Sequence, residues 1–137
     1  MRRVVLAALV ACLLAVLAGC GADSDDLFRV SRSGSLPDAR VDITVNDGGT
    51  ISCDRGEARQ LDSKLLLRGR DIVRELSEDA PYERVLPRPA NAQLRFDLHT
   101  LDGTIEFSET DGAREPQLGR MVQLVRELAQ RACGLER

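Results

Sequence analysis

Leu94-Arg95-Phe96-Asp97-Leu98-His99-Thr100-Leu101-Asp102-Gly103-Thr104-Ile105-Glu106-Phe107 is the stretch whose reading decides the fold. Leu94, Phe96 and Leu98 alternate with Arg95, Asp97 and His99, the period of a strand with one buried face. Asp102-Gly103 is a strong short hairpin signal. A two-residue loop there places Leu98 opposite Phe107 and His99 opposite Glu106, so both faces stay consistent. Downstream, Pro116 suits the first turn of a helix. Leu118, Met121, Val122, Val125, Leu128, Ala129 and Ala132 form its buried stripe, and Gly134 marks its end.

Upstream the same order occurs once before. Phe28 and Val30 alternate with Arg29 and Ser31, a short first strand, and Ser33 to Asp38 reads as a turn. Val41, Ile43 and Val45 alternate with Asp42, Thr44 and Asn46. For Val45 to face Ile51 and Ile43 to face Cys53, the loop Asp47-Gly48-Gly49 must hold three residues, a length that favours a left-handed glycine. From Leu61 the period changes. Leu61, Leu65, Ile72 and Leu76 make a helical stripe over Arg59–Ser77, with Gly69 allowing close packing. Ser77 to Asn91, with Pro81, Pro87 and Pro89, is expected to be a surface connection. Gly49-Thr50-Ile51 matches Gly103-Thr104-Ile105, and Val73-Arg74-Glu75-Leu76 matches Val125-Arg126-Glu127-Leu128. One-faced strands and amphipathic helices must bury those faces together. The expectation is an α+β domain over residues 27–137: an antiparallel sheet of four to five strands, two helices packed on one face, readable as a hairpin–helix pseudo-repeat.

The first 20 residues follow a different rule. Arg2 and Arg3 precede the apolar run Val4–Val16, and small residues lead to Cys20, the layout of a secretory signal. The uncharged stretch is short of the roughly 20 residues that a membrane-crossing helix needs. Leu17-Ala18-Gly19-Cys20 resembles the lipobox of bacterial lipoproteins. The resemblance implies a signal peptide over 1–19, a diacylglycerol (with palmitate among its acyl chains) on Cys20, and residues 20–26 as lipidated N-terminus and tether. Two or more acyl chains, at roughly 0.8 kcal/mol per buried methylene, hold firmly to a bilayer. The expected location is the outer face of the plasma membrane. A single lysine, Lys64, among many arginines indicates a GC-rich genome and, with the lipobox, an actinobacterial cell surface.

Of 137 residues, loss of 19 leaves 118, one domain of ordinary size. Losing Arg2 and Arg3 leaves 17 of the 19 basic residues against 22 acidic ones, about −5, which argues against nucleic acid as a partner. Cys12 lies in the signal and Cys20 is taken by lipid, so Cys53 and Cys133 remain. In an oxidising envelope such a pair reads as a disulfide, worth roughly 4 kcal/mol at this separation. Two inert thiols or a metal site are the alternatives. Against metal stand the missing Cys-x-x-Cys partners and the lack of companions for His99, the one histidine. No cofactor is expected. The three aspartates of residues 21–26 lack the turn glycine and distal glutamate of a calcium loop.

Catalysis finds little support. The chain has no Gly-x-Ser-x-Gly, His-Glu-x-x-His or phosphate-binding glycine loop. His99 is expected on a solvent-facing strand surface across from Glu106, a cross-strand charge pair. Carboxylates are plentiful enough for a glycosidase pair, but three phenylalanines and one tyrosine make a poor sugar-stacking cleft.

Phe28-Arg29-Val30-Ser31-Arg32-Ser33-Gly34, the Leu-rich first helix, and Phe96 to Glu109 followed by a proline-started helix together resemble emfourins. These are small bacterial inhibitors of thermolysin-like metallopeptidases. The likeness is one of layout over residues 27–132. Ser35-Leu36 stands where the family usually has a second glycine and an aromatic, and Cys53, Cys133 and the lipobox are additions. The resemblance implies protease inhibition, with Arg32, Ser33, Gly34, Ser35, Leu36 and Pro37 as the contact. From the residues themselves, the expectation is a non-catalytic lipoprotein that binds an envelope protein.

Overall fold

A nine-residue strand, β1 (Asp26–Gly34), runs through the interior of the sheet, with hairpins on either side of it. The computed structural model describes residues 25–79 and 81–136. After β1 come β2 (Val41–Asn46), β3 (Thr50–Cys53), β4 (Arg59–Gln60), α1 (Ser63–Leu76), β5 (Tyr82–Val85), β6 (Leu94–His99), β7 (Gly103–Ser108) and α2 (Pro116–Arg131). Single 3₁₀ turns occupy Ser77–Asp79 and Glu109–Ala113. The sheet order is β4-β3-β2-β1-β6-β7-β5. All neighbours are antiparallel except β5 and β7.

The α+β class is as the periodicities require, while the sheet is larger than the four to five strands expected and is mixed. Both extra strands are edges made by segments without a strand signature. Arg59–Gln60, expected inside the first helix, pairs with Ile51 and Thr50, and the helix begins only after Asp62. The Asp62 carboxylate accepts from the Lys64 and Leu65 amides and so supplies the N-cap. The proline-bounded connection after Ser77 contains β5, whose backbone joins β7 in parallel through Tyr82 N–H to Asp102 O and Leu86 N–H to Glu106 O. Prolines at 81 and 87 flank this short edge strand without removing a donor that it uses.

Hydrophobic parity places the core on one face. Phe28 and Val30 of β1, Val41, Ile43 and Val45 of β2, Ile51 of β3, Phe96 and Leu98 of β6, and Ile105 and Phe107 of β7 are all buried. Over them lie Leu65, Ile72, Val73 and Leu76 of α1 and Leu118, Met121, Val125, Leu128 and Ala129 of α2. Phe96 and Phe107 face each other across their strands and stack with centroids 5.1 Å apart. Gly69 sits where α1 meets β1 and α2. A Cβ there would come 3.2 Å from the Phe28 ring, so the glycine permits the close approach expected of it.

The first hairpin has the expected register, Val45 opposite Ile51 and Ile43 opposite Cys53, with Gly49 at φ +94°. The second is shifted by two residues. His99 faces Thr104 and Leu98 faces Ile105, so the turn centres on Leu101-Asp102 and not on Asp102-Gly103. Parity is unchanged by a shift of two, so the apolar face survives. Gly103 is not left-handed; it is needed because a Cβ would lie 2.0 Å from the Tyr82 carbonyl oxygen of β5. A close strand crossing, not a turn, accounts for that glycine.

Cys53 and Cys133 form a disulfide with Cα atoms 5.7 Å apart, joining the end of β3 to the chain just past α2. The crosslink ties the sheet to the helical layer. The two repeat-like tetrapeptides also occupy equivalent places, with Val73 and Leu76 of α1 and Val125 and Leu128 of α2 facing the core.

Candidate functional site

At the Gly34 end of β1 the chain leaves the sheet, turns through residues 35–39 and returns as β2, leaving a cleft of about 280 Å³ against α2. Leu36, Pro37, Asp38 and Ala39 supply the turn side; Leu94 and Phe96 of β6 supply the floor. Val122, Arg126 and Gln130, one helical stripe of α2, supply the far wall.

Arg32 builds this site from below. It is the third inward-facing residue of β1, after Phe28 and Val30, and is only 4% exposed. Its Nε donates to Ala39 O at 2.8 Å and its Nη2 to Asp38 O at 2.7 Å. Two carbonyls of the turn are thus held by a charged donor from the sheet, the stronger kind of hydrogen bond. Asp38 adopts φ +56°, a left-handed conformation that aspartate tolerates better than most residues. Ala39 N–H to Leu36 O closes the turn, and Ser35 N–H to Gln93 O fastens its start to the β6 side.

The electrostatics are lopsided. Burial first, and then the like charge of Arg126, pull the Arg32 guanidinium below its ordinary value, partly offset by Asp38. It remains cationic at any physiological pH. Arg126 is exposed and makes no hydrogen bond or ion pair with a described residue. Its neighbours on α2 differ, since Arg120 pairs with Glu75 and Arg131 with Glu127.

The expected contact segment is therefore divided. Arg32, Leu36 and Pro37 border the cleft. Ser33 alternates to the opposite sheet face, and Ser35 is exposed outside the cleft lining. Arg32, Ser33 and Gly34 belong to β1 and not to a turn, because β6 pairs with β1 as far as Gly34–Leu94. Gly34 has no left-handed φ. A Cβ there would sit 2.0 Å from Gln93 O, so close approach of β6 accounts for it. Arg126 and Gln130 were not singled out from sequence. Their only signal is the i, i+4, i+8 spacing with Val122, which becomes informative once the turn lying against α2 is known.

The face of the sheet away from the helices is polar. His99 is half-exposed there, with Nε2 3.1 Å from Asp97 Oδ1 on its own strand, and not opposite Glu106. The two-residue register shift produced that change of partner. Among the described residues no cluster of three or more histidine, cysteine, aspartate or glutamate side chains is arranged to hold a metal ion, and no helix is long and apolar enough to cross a membrane. Cys20 lies outside the described residues. No protein-family model, curated protein or solved structure matches the chain.

Proposed function

We propose that the protein is a cell-envelope lipoprotein, anchored outside the plasma membrane through Cys20, that works by binding another envelope protein and not by catalysis. The observation that carries this reading is the placement of the cleft relative to the tether. Cys20 precedes β1 by six residues, a span of at most about 20 Å. β1 then runs nine residues, roughly 27 Å, from the tether to the residue 35–39 turn. A lipid on Cys20 would thus present the cleft on the end of the domain remote from the bilayer. The near end carries Asp25, Asp26, Asp47 and Asp102 around one depression, with Asp26 paired to Arg29 and Asp47 to Arg70.

The test is a Cys20→Ala substitution in cells. The parent protein should enter the detergent phase on phase separation and incorporate labelled palmitate. The variant should incorporate no palmitate and should be released or remain unprocessed, and a processed variant with unchanged membrane attachment would reject the anchor. Crosslinking on intact cells from residue 36 should capture a partner protein; crosslinks only from the polar sheet face would place the binding surface elsewhere.

A second reading, inhibition of a thermolysin-like metallopeptidase, rests on one specific feature. The turn, exposed at Pro37, is held from inside by Arg32, and a preorganised loop loses little freedom on docking. Stoichiometric slowing of such a peptidase by the purified protein, weakened by Leu36→Asp, is the expected result. Full peptidase activity at micromolar protein would dismiss it.

A further inference from the structure

We propose that the cleft between the residue 36–39 turn and α2 binds a carboxylate attached to a branched apolar group, with Arg126 taking the carboxylate and Leu36, Pro37, Leu94 and Val122 enclosing the apolar part. This rests on the reading of the protein as a binding module and names the chemistry of its ligand.

Three observations converge. The first is charge. Arg32, Asp38 and Arg126 are the charged residues lining the cleft, two guanidiniums against one carboxylate. Arg32 spends two of its donors on the carbonyls of the turn, whereas Arg126 has no described partner and stands near enough to Arg32 for the two to repel. An anion beside Arg126 would relieve that repulsion. A planar guanidinium recognises a carboxylate with two parallel hydrogen bonds.

The second is shape and lining. A cleft of about 280 Å³ lies at the small end of ligand sites. It matches one residue-sized group and not an extended polymer. Its floor and walls are leucine, phenylalanine, proline and valine side chains, of which Leu94 and Leu36 are half-buried and Pro37 is exposed. Apolar lining with a few charged groups, of which Arg126 alone has no described partner besides its repulsion from Arg32, is the pattern of a site that orients an amphipathic ligand.

The third is preorganisation. Arg32 and the Leu36–Ala39 bond fix the turn before any ligand arrives. On the opposite wall, Val122 is buried in a helix whose neighbouring core residues are fully enclosed. The Arg126 side chain is the group left to be ordered on binding. The shared chemistry, a free carboxylate next to a leucine-like side chain, occurs at the C-terminus of a peptide and in a small branched organic acid.

The experiment is a titration of the isotopically labelled full-length protein in detergent micelles, followed by amide chemical shifts. N-acetyl-leucine should move Ala39, Leu94 and Arg126 in a saturable manner, and N-acetyl-leucinamide, which lacks the charge, should not. Arg126→Gln, at an exposed position where folding is not at stake, should weaken the acid about tenfold or more while leaving the spectrum dispersed. A tetrapeptide ending in leucine that binds more tightly than N-acetyl-leucine identifies a peptide terminus as the source; the reverse order identifies a free acid. Equal response to acid and amide, or shifts confined to other surfaces, overturns the proposal. Partner capture on cells that persists in a protein showing no carboxylate response would remove this site and leave the binding-module reading standing.

Discussion

Removing the Cys53–Cys133 bond should cost the domain a large share of its stability. The bond closes an 80-residue separation, for which the chain-entropy relation gives about 4.5 kcal/mol at 25 °C. Both cysteines are only half-buried, so replacing them with alanine loses little packing. Arg59 still reaches the Ala132 carbonyl and Arg131 still approaches Asp62, so the native layers keep other ties. The loss therefore falls mainly on the unfolded chain, which gains freedom. For a domain of about 110 residues the unfolding entropy near the midpoint is about 230 cal/mol/K, so the midpoint should fall by about 20 °C. The assay is thermal and urea unfolding followed by circular dichroism, comparing the parent protein with the Cys53→Ala/Cys133→Ala variant. The urea slope should also rise, because an uncrosslinked chain exposes more surface. A native-like spectrum with a midpoint lowered by less than about 5 °C would refute the argument that the bond acts by restraining the unfolded chain.

Two further outcomes follow from particular contacts. Gly103→Ala puts a methyl group against the Tyr82 carbonyl and should cost about 1–3 kcal/mol, with faster hydrogen exchange at the Tyr82 and Leu86 amides that bond to the β7 hairpin; unchanged protection at both would show that β5 does not need the close approach. Tyr82 is the sole tyrosine, and burial, with a smaller contribution from Asp102, raises its phenol above the ordinary 10.0 despite hydrogen bonds with Thr100 and Ser77. Its folded value exceeds the unfolded one, so its contribution to stability is whole below pH 10 and is lost as the pH rises through the folded value. Absorbance titration should give a midpoint above 10, and Thr100→Val should raise it further, since the bond to Thr100 lowers it. A midpoint at or below 10 would mean that the ring is not desolvated as the fold requires.

Much of the architecture is written in local periodicity. Alternation in Val41–Val45 and Leu94–Leu98, and the stripe from Leu118 to Ala129, define which faces meet, and burial follows them except at Leu94, which is half-buried, and Leu124, which is buried outside the expected stripe. Parity places Val45 against Ile51 and calls for a three-residue loop with a left-handed glycine, Gly48 or Gly49, and in the structure Gly49 adopts that conformation. The bond between Cys53 and Cys133 was legible because only two cysteines remain once the N-terminal ones are set aside. These features depend on neighbours in the chain or on elimination within a short inventory.

Where a strand finds its partner through backbone groups, side-chain pattern is silent. β5 and β4 owe their existence to hydrogen bonds along sheet edges, which Tyr82–Val85 and Arg59–Gln60 do not advertise. Gly34 and Gly103 look like turn glycines, yet each is required by another chain segment passing within 2.0 Å of where its Cβ would stand. The cleft is of the same kind. Arg32 and Arg126 are 94 positions apart in the chain, and nothing in the neighbourhood of either indicates that the other will face it. Residue order determined the amphipathic elements, because periodicity is a local property of backbone geometry. Which charges those elements bring together was decided only when they packed.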